Sequence, residues 1–228
     1  MCGISGIILN NNKKNSQKKS YNHLLDKINN LEDIFKSYKK LASLYDLSWN
    51  YKNDKCFLNF FKNSTEQQYV KKISQKIDKF LEKVNYLDEK LNTQIGSKIE
   101  RLKDINWFLK NELQQNFKFI LDIIDKDNEN INDTSLIFLK NLSNIINSIN
   151  FLEMRGRDSL GISINLNIKN IKSQELKHIK NITGYKEYKN FTSVIFVFKT
   201  SNSIGYLGEN SKIIISQMKN NKAFIKLI

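Results

Sequence analysis

The sequence predicts an α+β protein in which a long helical block interrupts a strand-bearing part. Three observations predict it. A short β-branched run follows the N-terminus, apolar residues then recur at three- and four-residue spacing for about a hundred positions, and alternating β-branched and aromatic runs return from Gly161.

Ile4 to Leu9 reads as a buried strand, and NNNKKNSQKKS after it as a polar loop. From Tyr21 to about Tyr45, Leu24, Leu25, Ile28, Leu31, Ile34 and Phe35 have the spacing of an amphipathic helix. The patch WNYKNDKCFLNFFKN breaks that period, and Ser64 with Gln67 resembles a capping box. Ile73, Ile77, Phe80, Val84, Leu87 and Leu91 alternate steps of four and three, a heptad seam. The pattern extends through Ile99, Leu102, Trp107, Leu113 and Phe117 to about Ile124, with Gly96 marking an interruption or turn. A solitary amphipathic helix cannot bury its face, so residues 20–125 are expected to form an antiparallel hairpin or small bundle.

DKDNENIND is a polar turn, and Leu136, Leu139, Leu142, Ile145, Ile146, Ile149 and Leu152 mark the next helix. GISINLNI alternates as a strand and SVIFVFKT has the composition of another. Glu209 to Leu227 resumes helical spacing through Ile213, Ile214, Met218, Phe224 and Leu227. The expected organisation is a strand-bearing domain from residues 1–12 and 130–228, interrupted by a helical insertion over 13–129.

Composition limits the function. Hydrophobic residues make up 40% of 228, enough to fill a core, and no run reaches the roughly 18–20 apolar residues of a membrane span. The start has no basic segment and apolar run of a signal peptide, so a cytoplasmic location and no membrane partner are expected. Two cysteines, Cys2 and Cys56, exclude a disulfide scaffold, and two histidines, His23 and His178, argue against a zinc cluster. The net charge of +14 invites a nucleic-acid reading. However, Lys, Asn and Ile dominate the whole chain and Pro is absent, which is a diffuse bias rather than a patch. Lys13 to Lys19 reads as a solvated loop, and no nucleic acid is expected as a partner.

The chemistry centres on Cys2. Removal of Met1 before a small residue leaves Cys2 with its own α-amine, whose reference pKa of about 7.7–8.0 lets it take the thiol proton near neutrality. Taken alone, Met-Cys favours a cysteine that only packs at a strand start. A second motif changes the weighing. MCGISGIIL, followed later by NFLEMRGRDSLGISI, resembles the class II glutamine amidotransferase domain of glucosamine-6-phosphate synthase and its relatives, a branch of the N-terminal nucleophile hydrolases. In that family a Cys-Gly-Ile strand is followed by a helix ending in Leu-Glu-x-Arg-Gly-x-Asp-Ser and a second strand. Leu152, Glu153, Arg155, Gly156, Asp158, Ser159 and Gly161 match position by position.

The resemblance implies a partial α/β/β/α-type N-terminal nucleophile hydrolase domain carrying a large all-α insertion. It implies that Cys2 is the nucleophile, with Gly3 beside it, and that Arg155, Gly156, Asp158 and Ser159 support the site. A helix-to-strand turn with a structural ion pair explains Arg155, Gly156 and Asp158 equally well. No cofactor and no metal are implied. The implied partners are glutamine and a sugar-phosphate isomerase domain or downstream polypeptide that accepts the ammonia, with a homo-oligomer left open. Lys103, Asp104 and Trp107, together with Tyr206 to Asn210, resemble a less-studied branch linked to sugar isomerases. The family's His-Thr-Arg-Trp strand and Asn-Gly pair, which bind glutamine and donate to the oxyanion, do not occur and are expected to lie beyond Ile228. The chain is therefore expected to be incomplete and weakly active or inactive alone. The rival reading is a helical interaction protein with a vestigial amidotransferase portion.

Overall fold

The computed structural model describes residues 37–85, 93–124, 131–152, 159–169, 184–200 and 208–228. These residues form helices and a small antiparallel sheet, an α+β protein. They divide into two compact units. The first holds the described residues of 37–119 with 132–140, and the second holds 120–124, 131 and the described residues from 141 onward.

In the helical unit, α1 (Tyr38–Trp49) is capped by Ser37, whose Oγ accepts from the Lys40 N–H at 3.4 Å. A 3-10 turn (Asn50–Lys52) leads into α2 (Asp54–Lys62), α3 (Ser64–Asn85) and α4 (Thr93–Trp107). A π-helical segment, Phe108–Leu113, continues without a break into α5 (Gln114–Ile123). α1 packs on α4, α4 on α3, and α2 on α3. The residues from Leu24 to Phe35, the segment 125–130, and Leu87 and Leu91 lie outside the described residues.

Two local readings are corrected and one gains detail. The patch after Trp49 does break the helical period, through the 3-10 turn and an extended Asn53, but the chain then re-enters a helix: Asn53 accepts from the Lys55 N–H at 3.0 Å and starts α2. Phe57 and Phe60 of that helix are at most 1% exposed, and Phe60 meets Phe117 edge-on at 5.8 Å between centroids. A nine-residue helix is too short to reveal its period, so the sequence shows only the interruption before it. The cap of α3 is Asn63, not Ser64; its Oδ1 accepts from Thr65 and Glu66 at 3.0 and 3.2 Å. Gln67 instead donates to the carbonyls of Phe60 and Phe61. Gly96 lies inside α4 with open space around it and interrupts nothing.

The seam of α3 is buried over Val70, Ile73 and Ile77, while Phe80 and Val84 are half-buried. Polar groups tie it to α4. Ser74 Oγ donates to Asn106 Oδ1 at 2.8 Å, Asn106 Nδ2 donates to Asp78 at 2.7 Å, and Lys110 pairs with the other oxygen of Asp78.

Asn132 caps α6 (Asp133–Leu152) through the Ser135 N–H at 2.9 Å. In the sheet unit follow β1 (Leu160–Ile168), β2 (Lys186–Glu187) and β3 (Thr192–Thr200), in the order β1-β3-β2 and antiparallel throughout. Both long strands are where the alternation places them. The C-terminal pattern resolves into two helices, α7 (Glu209–Asn220) and α8 (Lys222–Leu227), rather than one. Asn221 leaves the helical region at ψ 93 and caps α8 by accepting from the Phe224 N–H. At the other end of α8, the Ile228 N–H donates to the Phe224 carbonyl at 3.2 Å. A capping asparagine supplied by the chain's Asn-rich composition is what the periodicity of apolar residues alone could not reveal.

Candidate functional site

The register of β1 on β3 sorts the sheet into two unlike faces. On one, Ile162 faces Phe198, Ile164 faces Phe196 and Leu166 faces Val194. α7 packs on this sheet, and Phe224 of α8 is fully buried with its ring edge-on to Phe196 at 5.3 Å and to Phe198 at 5.5 Å. The other face carries Ser163, Asn165, Asn167, Val197 and Lys199, all exposed. On it the Ser193 hydroxyl donates to Asn165 Oδ1 at 2.8 Å.

Glycines fix the approaches to the sheet at two places. Gly184 has φ +114°, and a Cβ there would stand 2.9 Å from that of Ile195. Gly208 has φ +83° and opens α7, where Ser211 donates to its carbonyl at 2.9 Å. Lys219 of α7 pairs with Asp122 at 2.8 Å. Beside Gly184, the Tyr185 hydroxyl donates to the Glu187 carboxylate, which pushes its pKa up to about 12.

Ser159 is exposed and immediately precedes β1. α6 ends at Leu152 and β1 begins at Leu160, so the Glu153 to Asp158 segment joins a helix to a strand. Cys2, Gly3, Arg155, Gly156 and Asp158 lie outside the described residues, as do the Ile4 to Leu9 run and both histidines. The glutamine-binding and oxyanion motifs expected beyond Ile228 are likewise outside them; Ile228 itself is half-buried at the end of α8. Lys103, Asp104 and Trp107 are on α4 and exposed, with Lys103 paired to Glu100 at 3.2 Å. Of Tyr206 to Asn210, the described half is the start of α7, where Asn210 is buried.

Among the described residues, the helical unit buries one acidic and one basic side chain that sequence reading did not single out. Glu66 is 8% exposed; Tyr51 Oη donates to one carboxylate oxygen at 2.9 Å and Asn59 donates to the other. Burial pushes its pKa up from 4.5, against the opposing effect of those hydrogen bonds. Lys140 is 5% exposed and donates to the Lys52 carbonyl at 2.6 Å and to Asp54 at 2.9 Å. Both tie elements together. Neither signal is periodic, and each ion depends on partners distant in sequence.

One face of α1 also forms a ladder of rings and cations. The Arg101 guanidinium lies 5.4 Å from the Tyr38 ring and 4.8 Å from Tyr45, Tyr45 stacks on Trp49 at 5.0 Å, and Lys52 Nζ is 3.7 Å from the Trp49 ring centroid. Each cation–ring contact contributes about 0.5–1 kcal/mol at an exposed site. Cys56 is buried on α2 and has a packing role, the kind of cysteine that Cys2 is not expected to be. Among the described residues no group of His, Cys, Asp and Glu has the arrangement of a metal site, and no helix is long and apolar enough to cross a membrane. Comparison with family models, curated proteins and solved structures found no match for this chain.

Proposed function

We propose that this chain carries the nucleophile of a class II glutamine amidotransferase of the N-terminal nucleophile hydrolase type, and that it releases ammonia for a sugar phosphate held by a partner domain or polypeptide. The observation that carries the reading is the order around the second motif. Leu-Glu-x-Arg-Gly-x-Asp-Ser occupies the step from the end of α6 to the start of β1, which is the helix–motif–strand order the resemblance implies.

In this reading Met1 is removed and the freed amine of Cys2 accepts the thiol proton. The sulfur attacks Cδ of glutamine, the tetrahedral intermediate expels ammonia with that proton, and water cleaves the γ-glutamyl thioester to glutamate. Arg155 offers a planar fork of donors suited to a carboxylate or carbonyl near the nucleophile. Asp158 and Ser159 hold the turn. No cofactor takes part. Neither a His-Thr-Arg-Trp nor an Asn-Gly segment is present among the 228 residues, and the reading assigns glutamine binding and oxyanion stabilisation to groups outside them.

The test is glutamate release by chain whose mature N-terminus is confirmed by mass, assayed alone and with the polypeptide encoded directly downstream. Turnover is expected only in the mixture and only with Cys2 intact, while Cys2 of the chain alone alkylates at an ordinary thiol rate. Retention of Met1 in the active material, or equal turnover by Cys2→Ala, would remove the proposal.

A further inference from the structure

The charge of +14 is spread over the chain, but the fold focuses part of it. On α3, Lys72, Lys76, Lys79 and Lys83 recur at steps of four, three and four, so they share one face. All four are exposed, on a face roughly 120° round the helix from the buried Val70, Ile73 and Ile77. None of the four enters an ion pair among the described residues. The acids of the helix do not neutralise the row. Glu66 is buried, Asp78 is engaged by Lys110 and Asn106, and Glu82 stands at its flank.

We propose that this lysine row is a docking surface for the phosphate backbone of duplex nucleic acid. The 11 steps from Lys72 to Lys83 span about 16 Å at 1.5 Å per residue. That length faces four or five phosphates of one strand, at roughly 3.4 Å each along the axis. Each lysine is a point charge on a flexible stem, which lets the row follow a regularly spaced line of phosphates without fixed bidentate geometry. A membrane surface is disfavoured because an interfacial helix must bury its apolar face in lipid, and here that face is in the bundle core. Unstacked single strands are disfavoured too. Tyr69 is a turn away and interleaves none of the lysines, and the α1 ladder already has cations seated on its rings.

The surface is independent of the amidotransferase reading, so Cys2→Ala should bind duplex as the wild type does. The experiment is anisotropy of a labelled mixed-sequence duplex titrated with the full chain between 50 and 200 mM salt. Neutralising four contacts releases counterions with a slope of about −3.6 in log K against log salt. Changing Lys72, Lys76, Lys79 and Lys83 together to Gln should remove that part of the slope, about a hundredfold of the salt-dependent loss over this range. Gln keeps helix propensity close to that of Lys, so the helical circular dichroism should persist, and the fourfold Lys→Arg variant should retain binding. A matched control changes the exposed Lys186, Lys189, Lys222 and Lys226 to Gln. An equal loss in that control would overturn the proposal in favour of diffuse attraction by net charge. Loss in the Arg variant would also overturn it. So would polyglutamate that competes for the protein as strongly as duplex does, because the row would then be fitted to an acidic polypeptide.

Discussion

The helical unit and the sheet unit bury their interiors by different means. In the helical unit the core is distributed over Leu41, Phe57, Phe60, Ile77, Leu102, Ile105 and Leu109, and polar ties run through it: Ser74 to Asn106 to Asp78, and Tyr51 and Asn59 to Glu66. In the sheet unit the backbone ladder sets register, and α7, with its buried Ile214 and Met218, covers the sheet together with the Phe224 ring, which stands edge-on to Phe196 and Phe198. Helices satisfy their own backbones and so need side chains to specify how they meet. A strand pair takes its register from the ladder and needs only a cover for its apolar face.

The largest effect should come from charging the helical core. Ile77 is fully buried, and Ile77→Asp places a carboxylate there with no partner, beyond the roughly 2–5 kcal/mol lost when a large aliphatic side chain is truncated. The expected outcome is loss of most helical circular dichroism and a red shift of tryptophan emission, since both tryptophans, Trp49 and Trp107, belong to this unit. A native spectrum and melting curve would break the picture of α3 as a core helix.

Phe224→Ala makes the same comparison from the other side and should cost about 3–5 kcal/mol. Amide hydrogen exchange in β1 and β3 should accelerate while the tryptophan emission holds. If emission shifts as far as it does in Ile77→Asp, the two interiors unfold as one and the contrast between them is lost.

How much of this was legible depends on the physical signal. β1, β3 and α6 declare themselves because each repeats its period over nine or more residues against a defined face. α2 does not, since its two turns carry Phe57, Phe60 and Phe61 in a cluster that suits no single template. The break at Asn221 depends on one residue's ψ, and the π segment at Phe108–Leu113 on hydrogen bonds that no periodicity records. Of the candidate site, the motif's setting between α6 and β1 was legible because a helix and a strand abut it. Glu66 was not, because a buried carboxylate is recognisable only once Tyr51 and Asn59 are brought to it.

A smaller effect separates two glycines of the sheet unit. Gly184→Ala forces a side chain into φ +114° and against Ile195, and should cost about 1–3 kcal/mol. Gly161→Ala meets only ordinary contacts, the nearest being Lys199 Cγ at 3.6 Å, and should leave the melting temperature almost unchanged. Similar losses at both positions would mean that strand composition, rather than the approach to β3, decides tolerance.

The smallest effect is a difference in pH response, and it falls on opposite sides of neutrality. Glu66 has a folded pKa raised above 4.5 by burial, so the folded state prefers the neutral acid. Its stabilising contribution is fully present below 4.5 and is lost as pH rises through the higher folded value. Glu66→Gln holds the site neutral, and Asn59 can turn its amide to accept where it formerly donated. The variant should match the wild type in acid and equal or exceed it at pH 7, by about the 1 kcal/mol of one hydrogen bond. Tyr185 acts at the alkaline end: with its pKa raised from 10.0 to about 12, its contribution is complete below 10 and disappears as pH climbs towards 12. Because that phenol is at the surface, Tyr185→Phe should only flatten the alkaline limb of the sheet unit's exchange protection and leave its acid limb alone. Tryptophan emission followed from pH 4 to 8 reads the first change and amide exchange above pH 9 the second. A Glu66→Gln variant that lost stability at pH 7 while holding it in acid would show that the charged carboxylate is the favoured form, and the sign assigned to its burial would be wrong.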